Sequence, residues 1–94
     1  MGFNDIKTRV ITALNNGAYR HEQRNDINVK NLLAMGVVTA TEVVDVLKRC
    51  RSQHCETSPH HDDQSIDVHV FKHDSWYVKF YFFDPDTVFI SVHE

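Results

Sequence analysis

At 94 residues the chain reads as one small domain, below the size at which chains usually divide. Apolar residues make up 41% and charged residues 24%, a globular balance that argues against a disordered chain. Ten Lys and Arg against thirteen Asp and Glu give a formal charge of -3, which argues against a nonspecific nucleic-acid coat but leaves room for a localised basic site. Asn4, Asp5, Lys7 and Arg9 interrupt the apolar stretch from Phe3 to Leu14, so neither a signal peptide nor a span of roughly 20 apolar residues is expected. The expected location is the cytoplasm.

The first half has helical spacing. Phe3, Ile6, Val10 and Leu14, with Ala13, recur at intervals of three and four, and Asn15-Asn16-Gly17 closes that helix. Residues 17–23 read as a connection. Asn25 or Asn28 can cap a short second helix carrying Ile27, Leu32 and Leu33, ended by Gly36 with Val37 as its hydrophobic contact. Thr39-Ala40-Thr41-Glu42 fits a capping box, opening a third helix that buries Val43, Val46, Leu47 and Cys50. Lys48, Arg49 and Arg51 complement the dipole at its end.

Residues 52–65 are polar and read as a long loop. After them the period becomes two, giving strands around 66–72, 76–83 and 88–93 joined at 73–75 and 84–86. The expected fold is α+β: three N-terminal helices, within about 3–51, packed on a C-terminal three-stranded antiparallel sheet over 66–93. Three-residue loops set Val70 against Val78, His69 against Lys79, Phe80 against Ile90, Lys79 against Ser91 and Tyr77 against His93. One face then packs on the helices. The other gathers His69, Phe71, Tyr77, Lys79, Tyr81, Phe89, Ser91 and His93, mixing proton-transfer groups with rings able to stack on bases. An ordinary solvated sheet face with a favourable Tyr–His contact is an equally good account of the same residues.

Seven histidines are the compositional oddity. His54-Cys55, His60-His61 and Asp62-Asp63 offer metal-ligand types in one loop, but their spacing follows no strong zinc pattern, and no metal or other cofactor is expected. Three of those histidines beside Lys48, Arg49 and Arg51 suggest a phosphate-binding rim; plain helix capping explains the cations as well. Cys50 and Cys55 read as free thiols, Cys50 in the core, and a Cys55–His54 nucleophile pair has no orienting third residue.

Helices, a polar loop and a terminal sheet bearing Tyr, Lys and His resemble the RelE-like toxin ribonucleases, above all their MqsR branch. The resemblance is carried by Tyr77-Val78-Lys79-Phe80 and by Val88-Phe89-Ile90-Ser91-Val92-His93-Glu94, similar to a Tyr-aliphatic-Lys strand and a terminal Val-Ser-Phe-Lys-Glu strand. Asp67-Val68-His69-Val70-Phe71-Lys72 looks like the branch's Asp-Val-Tyr strand, and Gly17 like its glycine after the first helix. The specific part covers about the last thirty residues. Tyr77 matches the active-site tyrosine, His93 stands where the terminal lysine would be, and the functional glutamine maps near Asp67 to His69. His54-Cys55-Glu56 replaces the branch's Phe-Tyr-Lys-Ser segment.

The resemblance implies a type II toxin that cuts mRNA without a metal, with RNA and a cognate antitoxin as partners. In the mechanism it suggests, His69 or His93 takes the 2′-hydroxyl proton, and Lys79, helped by Arg51 or Lys72, stabilises the phosphoryl oxygens. Tyr77 or the other histidine protonates the leaving oxygen. Tyr81 and Phe89 join Arg51 and Lys72 as RNA contacts, while Trp76, Phe83 and Phe89 offer antitoxin docking. A noncatalytic module, antitoxin-like, immunity or accessory, using the same face is the first alternative, and a small zinc protein using residues 54–63 is the second.

Overall fold

The computed structural model describes residues 1–22 and 30–94. Helix α1 spans Phe3–Asn16, strand β1 Tyr19–His21, helix α2 Ala40–Arg49, and strands β2, β3, β4 and β5 span Cys55–Pro59, Asp67–His73, Trp76–Phe83 and Asp86–His93. A single 3₁₀ turn, Ser52–His54, leads into β2. Both helices follow the spacing described above. Ile6, Val10, Ala13 and Leu14 form the buried stripe of α1, and Gly17 ends it at φ 71°, donating its backbone N–H to the Ala13 carbonyl. The Thr39–Glu42 capping box opens α2, which buries Val43, Val44, Val46 and Leu47.

The architecture is α+β, but with two helices and a five-stranded mixed sheet among the described residues, not three helices on a three-stranded antiparallel sheet. The strand order is β1-β5-β4-β3-β2, with β1 parallel to β5 and the other pairs antiparallel. The expected connection at 17–23 contains β1, and the expected loop at 52–65 contains β2. Where a second helix was expected, residues 30–37 form turns, with Asn31 bridging to Val92; Asn25, Ile27 and Asn28 lie outside the described residues. Gly36 has φ 74°, yet Val37 is exposed and Val38 is the residue that enters the core.

The β3–β4 connection is a two-residue turn, Asp74-Ser75, with both residues at positive φ. Phe71 therefore opposes Val78, Val70 opposes Lys79, and His69 opposes Phe80, correcting the three-residue loop. Between β4 and β5 the pairs Tyr77–His93 and Lys79–Ser91 form as expected. The connection there is also a two-residue turn, Asp84-Pro85, correcting the three-residue loop at 84–86, and a bulge leaves Ile90 unpaired, so that Phe80 meets Phe89 instead. Phe71, Val78, Phe80, Phe89 and Val92 pack under Val10, Val43 and Leu47 to make the core. No helix among the described residues is long and apolar enough to cross a membrane.

Candidate active site on the open sheet face

The register divides the expected set of site residues between two faces. Lys72, Tyr77 and His93 stand opposite one another across β3, β4 and β5, and Val70, Lys79 and Ser91 form the next row on the face away from the helices. Tyr81 continues that face. His69 and Phe71 lie on the helix-facing side because the two-residue turn shifts β3 by one residue against β4. Phe89 joins them because the bulge at Ile90 reverses the alternation of β5. The expected single face of eight residues is corrected accordingly. Trp76 is half-buried on the helix side, Phe89 is fully buried, and Phe83 remains exposed beside the Arg20 guanidinium.

Tyr77 and His93 form a stacked pair on the open face. Their rings stack with centroids 5.1 Å apart and planes 15° apart. His93 Nδ1 lies 3.2 Å from the Glu94 backbone oxygen, an acceptor, so Nδ1 carries the proton and donates it. In the neutral ring Nε2 is then the unprotonated nitrogen. The Lys72 ammonium is 5.8 Å from the Tyr77 ring centroid and 3.5 Å from the Glu56 carboxylate, a well-exposed pair of small energetic weight. Lys79 is half-buried one row further along the same face.

His69 occupies different surroundings. Only 4% of it is exposed, Phe80 and Phe82 flank its ring at 5.7 and 5.5 Å, and Nδ1 is 2.9 Å from the Thr57 hydroxyl. Burial holds its pKa below the ordinary imidazole value, so the ring is neutral at neutral pH. Arg51 is exposed just after α2. Cys50 is buried and Cys55 half-buried; burial pushes both thiols up, which disfavours the thiolate a nucleophile needs.

Sequence reasoning missed a polar cluster at the other end of β3. His60 Nδ1 accepts the Asp62 backbone N–H at 3.0 Å, which puts the ring proton on Nε2, 3.0 Å from Glu22 Oε1. Tyr81 donates its hydroxyl to the same Glu22 oxygen at 3.4 Å, and its ring meets His60 edge-on at 5.1 Å. The ligand atoms of His60, His61 and Asp62 lie within 4.8 Å of one another, a grouping from which zinc would have to displace a His60 hydrogen bond. His54 and Cys55 belong to the opposite end of β2, so the loop's ligand types do not converge on one centre. The proximity of Glu22 had no local signal, since β1 brings it there by pairing with β5.

Comparison with family models, curated proteins and solved structures finds no match.

Proposed function

We propose that the chain is a metal-independent endoribonuclease, the toxin of a type II toxin–antitoxin pair, acting on mRNA in the cytoplasm. The stacked Tyr77–His93 pair carries the reading, because it joins a phenol with an imidazole whose Nε2 is free to accept a proton. The likeness of the β4 and β5 motifs to the MqsR branch also supports it. His93 Nε2 takes the 2′-hydroxyl proton and the 2′-oxygen attacks the adjacent phosphorus. Lys79 and Lys72 offset the charge developing on the phosphoryl oxygens. Tyr77 gives its proton to the departing 5′-oxygen, leaving a 2′,3′-cyclic phosphate and a 5′-hydroxyl end. Proton return from the imidazolium to the phenolate restores the pair. No step needs a divalent ion, and His69, on the other side of the sheet, takes no part. Exposed Phe83 is the apolar contact offered to an antitoxin.

The test is cleavage of an oligoribonucleotide in EDTA by the purified chain. The expected product ends in a 2′,3′-cyclic phosphate, and Tyr77→Phe and His93→Ala each lose activity while keeping the wild-type circular-dichroism spectrum. Intact RNA with folded wild type, or wild-type rates in both variants, overturns the proposal in favour of a noncatalytic binding module.

A further inference from the structure

A second concentration of charge lies at the end of the sheet that carries Tyr77 and His93. A cleft of about 670 Å³ opens where α1, the end of α2, the 3₁₀ turn and the end of β3 meet. Lys7, Lys48, Arg49, Arg51, His54 and His73 line it. Four of the chain's ten Lys and Arg residues thus converge on one concavity of a protein with net charge -3.

Cations at a helix end are ordinarily explained by its unpaired carbonyls. Here Lys7, reaching over from α1, answers that need by donating to the Lys48 and Cys50 oxygens at 2.9 Å each. Arg49 is shared between the Asp45 backbone oxygen at 3.3 Å and the Asp74 carboxylate at 3.8 Å. Lys48 and Arg51 are exposed and have no carboxylate at ion-pair distance among the described residues. His54 and His73 lie with ring centroids 4.1 Å apart. His54 Nδ1 accepts the Arg51 backbone N–H at 2.8 Å, which makes its Nε2 an N–H donor. Asp74, 3.3 Å from His73 Nε2, is the carboxylate at the rim.

Two uncommitted cations, an imidazole N–H donor and a concave surface are the components of a site for a phosphate group. We infer that the cleft holds a backbone phosphate of the RNA strand whose neighbouring linkage is presented to Tyr77 and His93. The consecutive residues Lys72 and His73 place an ammonium on the open face and an imidazole in the cleft, so a strand rounding the end of β3 meets both. The choice of RNA among phosphate carriers rests on the ribonuclease reading. The anion site itself does not.

Two measurements test the inference. Inorganic phosphate titrated into the protein is followed through the histidine ring signals by NMR. An oligoribonucleotide with 2′-O-methyl groups, which cannot be cut, is bound at several salt concentrations to the wild type and to Lys48→Gln/Arg51→Gln. Phosphate is expected to move His54 and His73 well before His93. The double variant is expected to bind the oligonucleotide at least tenfold more weakly, with the log K against log salt slope reduced by about 0.7, the value for one phosphate contact on a single strand. Unmoved His54 and His73 signals overturn the site. Phosphate-shifted signals with unchanged oligonucleotide affinity and slope overturn the RNA assignment. If the wild type cuts no RNA yet binds the methylated strand through Lys48 and Arg51, the ribonuclease reading falls and the cleft stands.

Discussion

His69→Ala separates a structural histidine from His93, the histidine proposed to act on RNA. The imidazole is buried between Phe80 and Phe82, so removing it leaves a void against two rings and deletes one hydrogen bond to Thr57. Thr57 is exposed and its hydroxyl returns to water, which keeps the hydrogen-bond contribution small. The expected loss is about 2–3 kcal/mol, mostly lost packing. A chain of 94 residues has roughly 5–14 kcal/mol of total stability, so the variant still folds. Its melting temperature is expected to fall by roughly 10–20 °C.

The wild type should also show a pH dependence that the variant loses. His69 has a folded pKa below its unfolded value of about 6.5, so below that pH the unfolded chain binds a proton the native ring refuses. Stability is therefore complete above about pH 6.5 and declines as pH falls toward the folded pKa, by at most about 1.4 kcal/mol per pH unit for one proton. His21, whose pKa burial also lowers, adds a slope of the same sign that persists in the variant. Urea unfolding at several pH values measures both effects. In RNA cleavage, well below its melting temperature, the variant should keep the wild-type kcat, whereas His93→Ala should lose about 10²–10⁴-fold. A His69 variant with wild-type stability and no activity would refute the assignment of His69 to the core side of the sheet.

Two further outcomes follow from local geometry. Ser75 has φ 71° in the two-residue turn, a conformation that costs a non-glycine residue about 1 kcal/mol, so Ser75→Gly should raise the urea midpoint with an unchanged m value. A lowered midpoint would contradict the turn. Cys55, its thiol pushed up by burial, should alkylate more slowly than a free cysteine with iodoacetamide at pH 7; an equal or faster rate would contradict the burial.

The legible parts of the chain are those whose stability is local. The Phe3, Ile6, Val10, Leu14 stripe and the Thr39–Glu42 box each specify a helix without reference to anything distant. β2 has no such mark: Glu56, Thr57, Ser58 and Pro59 are exposed at the sheet edge, and its strand state comes from pairing with β3. β1 is three residues held by a parallel partner far along the chain. The β3–β4 register departs from the expected one because pairing one apolar series with another assumes that each strand has one buried face. In β3 that assumption fails, since Val68, His69, Val70 and Phe71 are all buried. Tyr77, Lys79 and His93 could be grouped from sequence because the two-residue turn Asp84-Pro85 and the extra residue of the bulge together equal a three-residue loop, which leaves the register beyond the bulge unchanged. Phe89 could not, since an unpaired Ile90 leaves no signature in a run of apolar residues.

The parallel pairing of β1 with β5 sets the order in which the molecule can assemble. β5 lies between β1 and β4, so Tyr19–His21 has no sheet neighbour until Asp86–His93 has been synthesised. A ribosome delivering the chain from its N-terminus can form α1 and α2 early, and the β3–β4 hairpin later, without closing the sheet. The final strand then supplies His93, completes the open face and captures β1, concentrating the slowest loop closure into the last step. Whatever that face does is withheld from a chain that lacks β5.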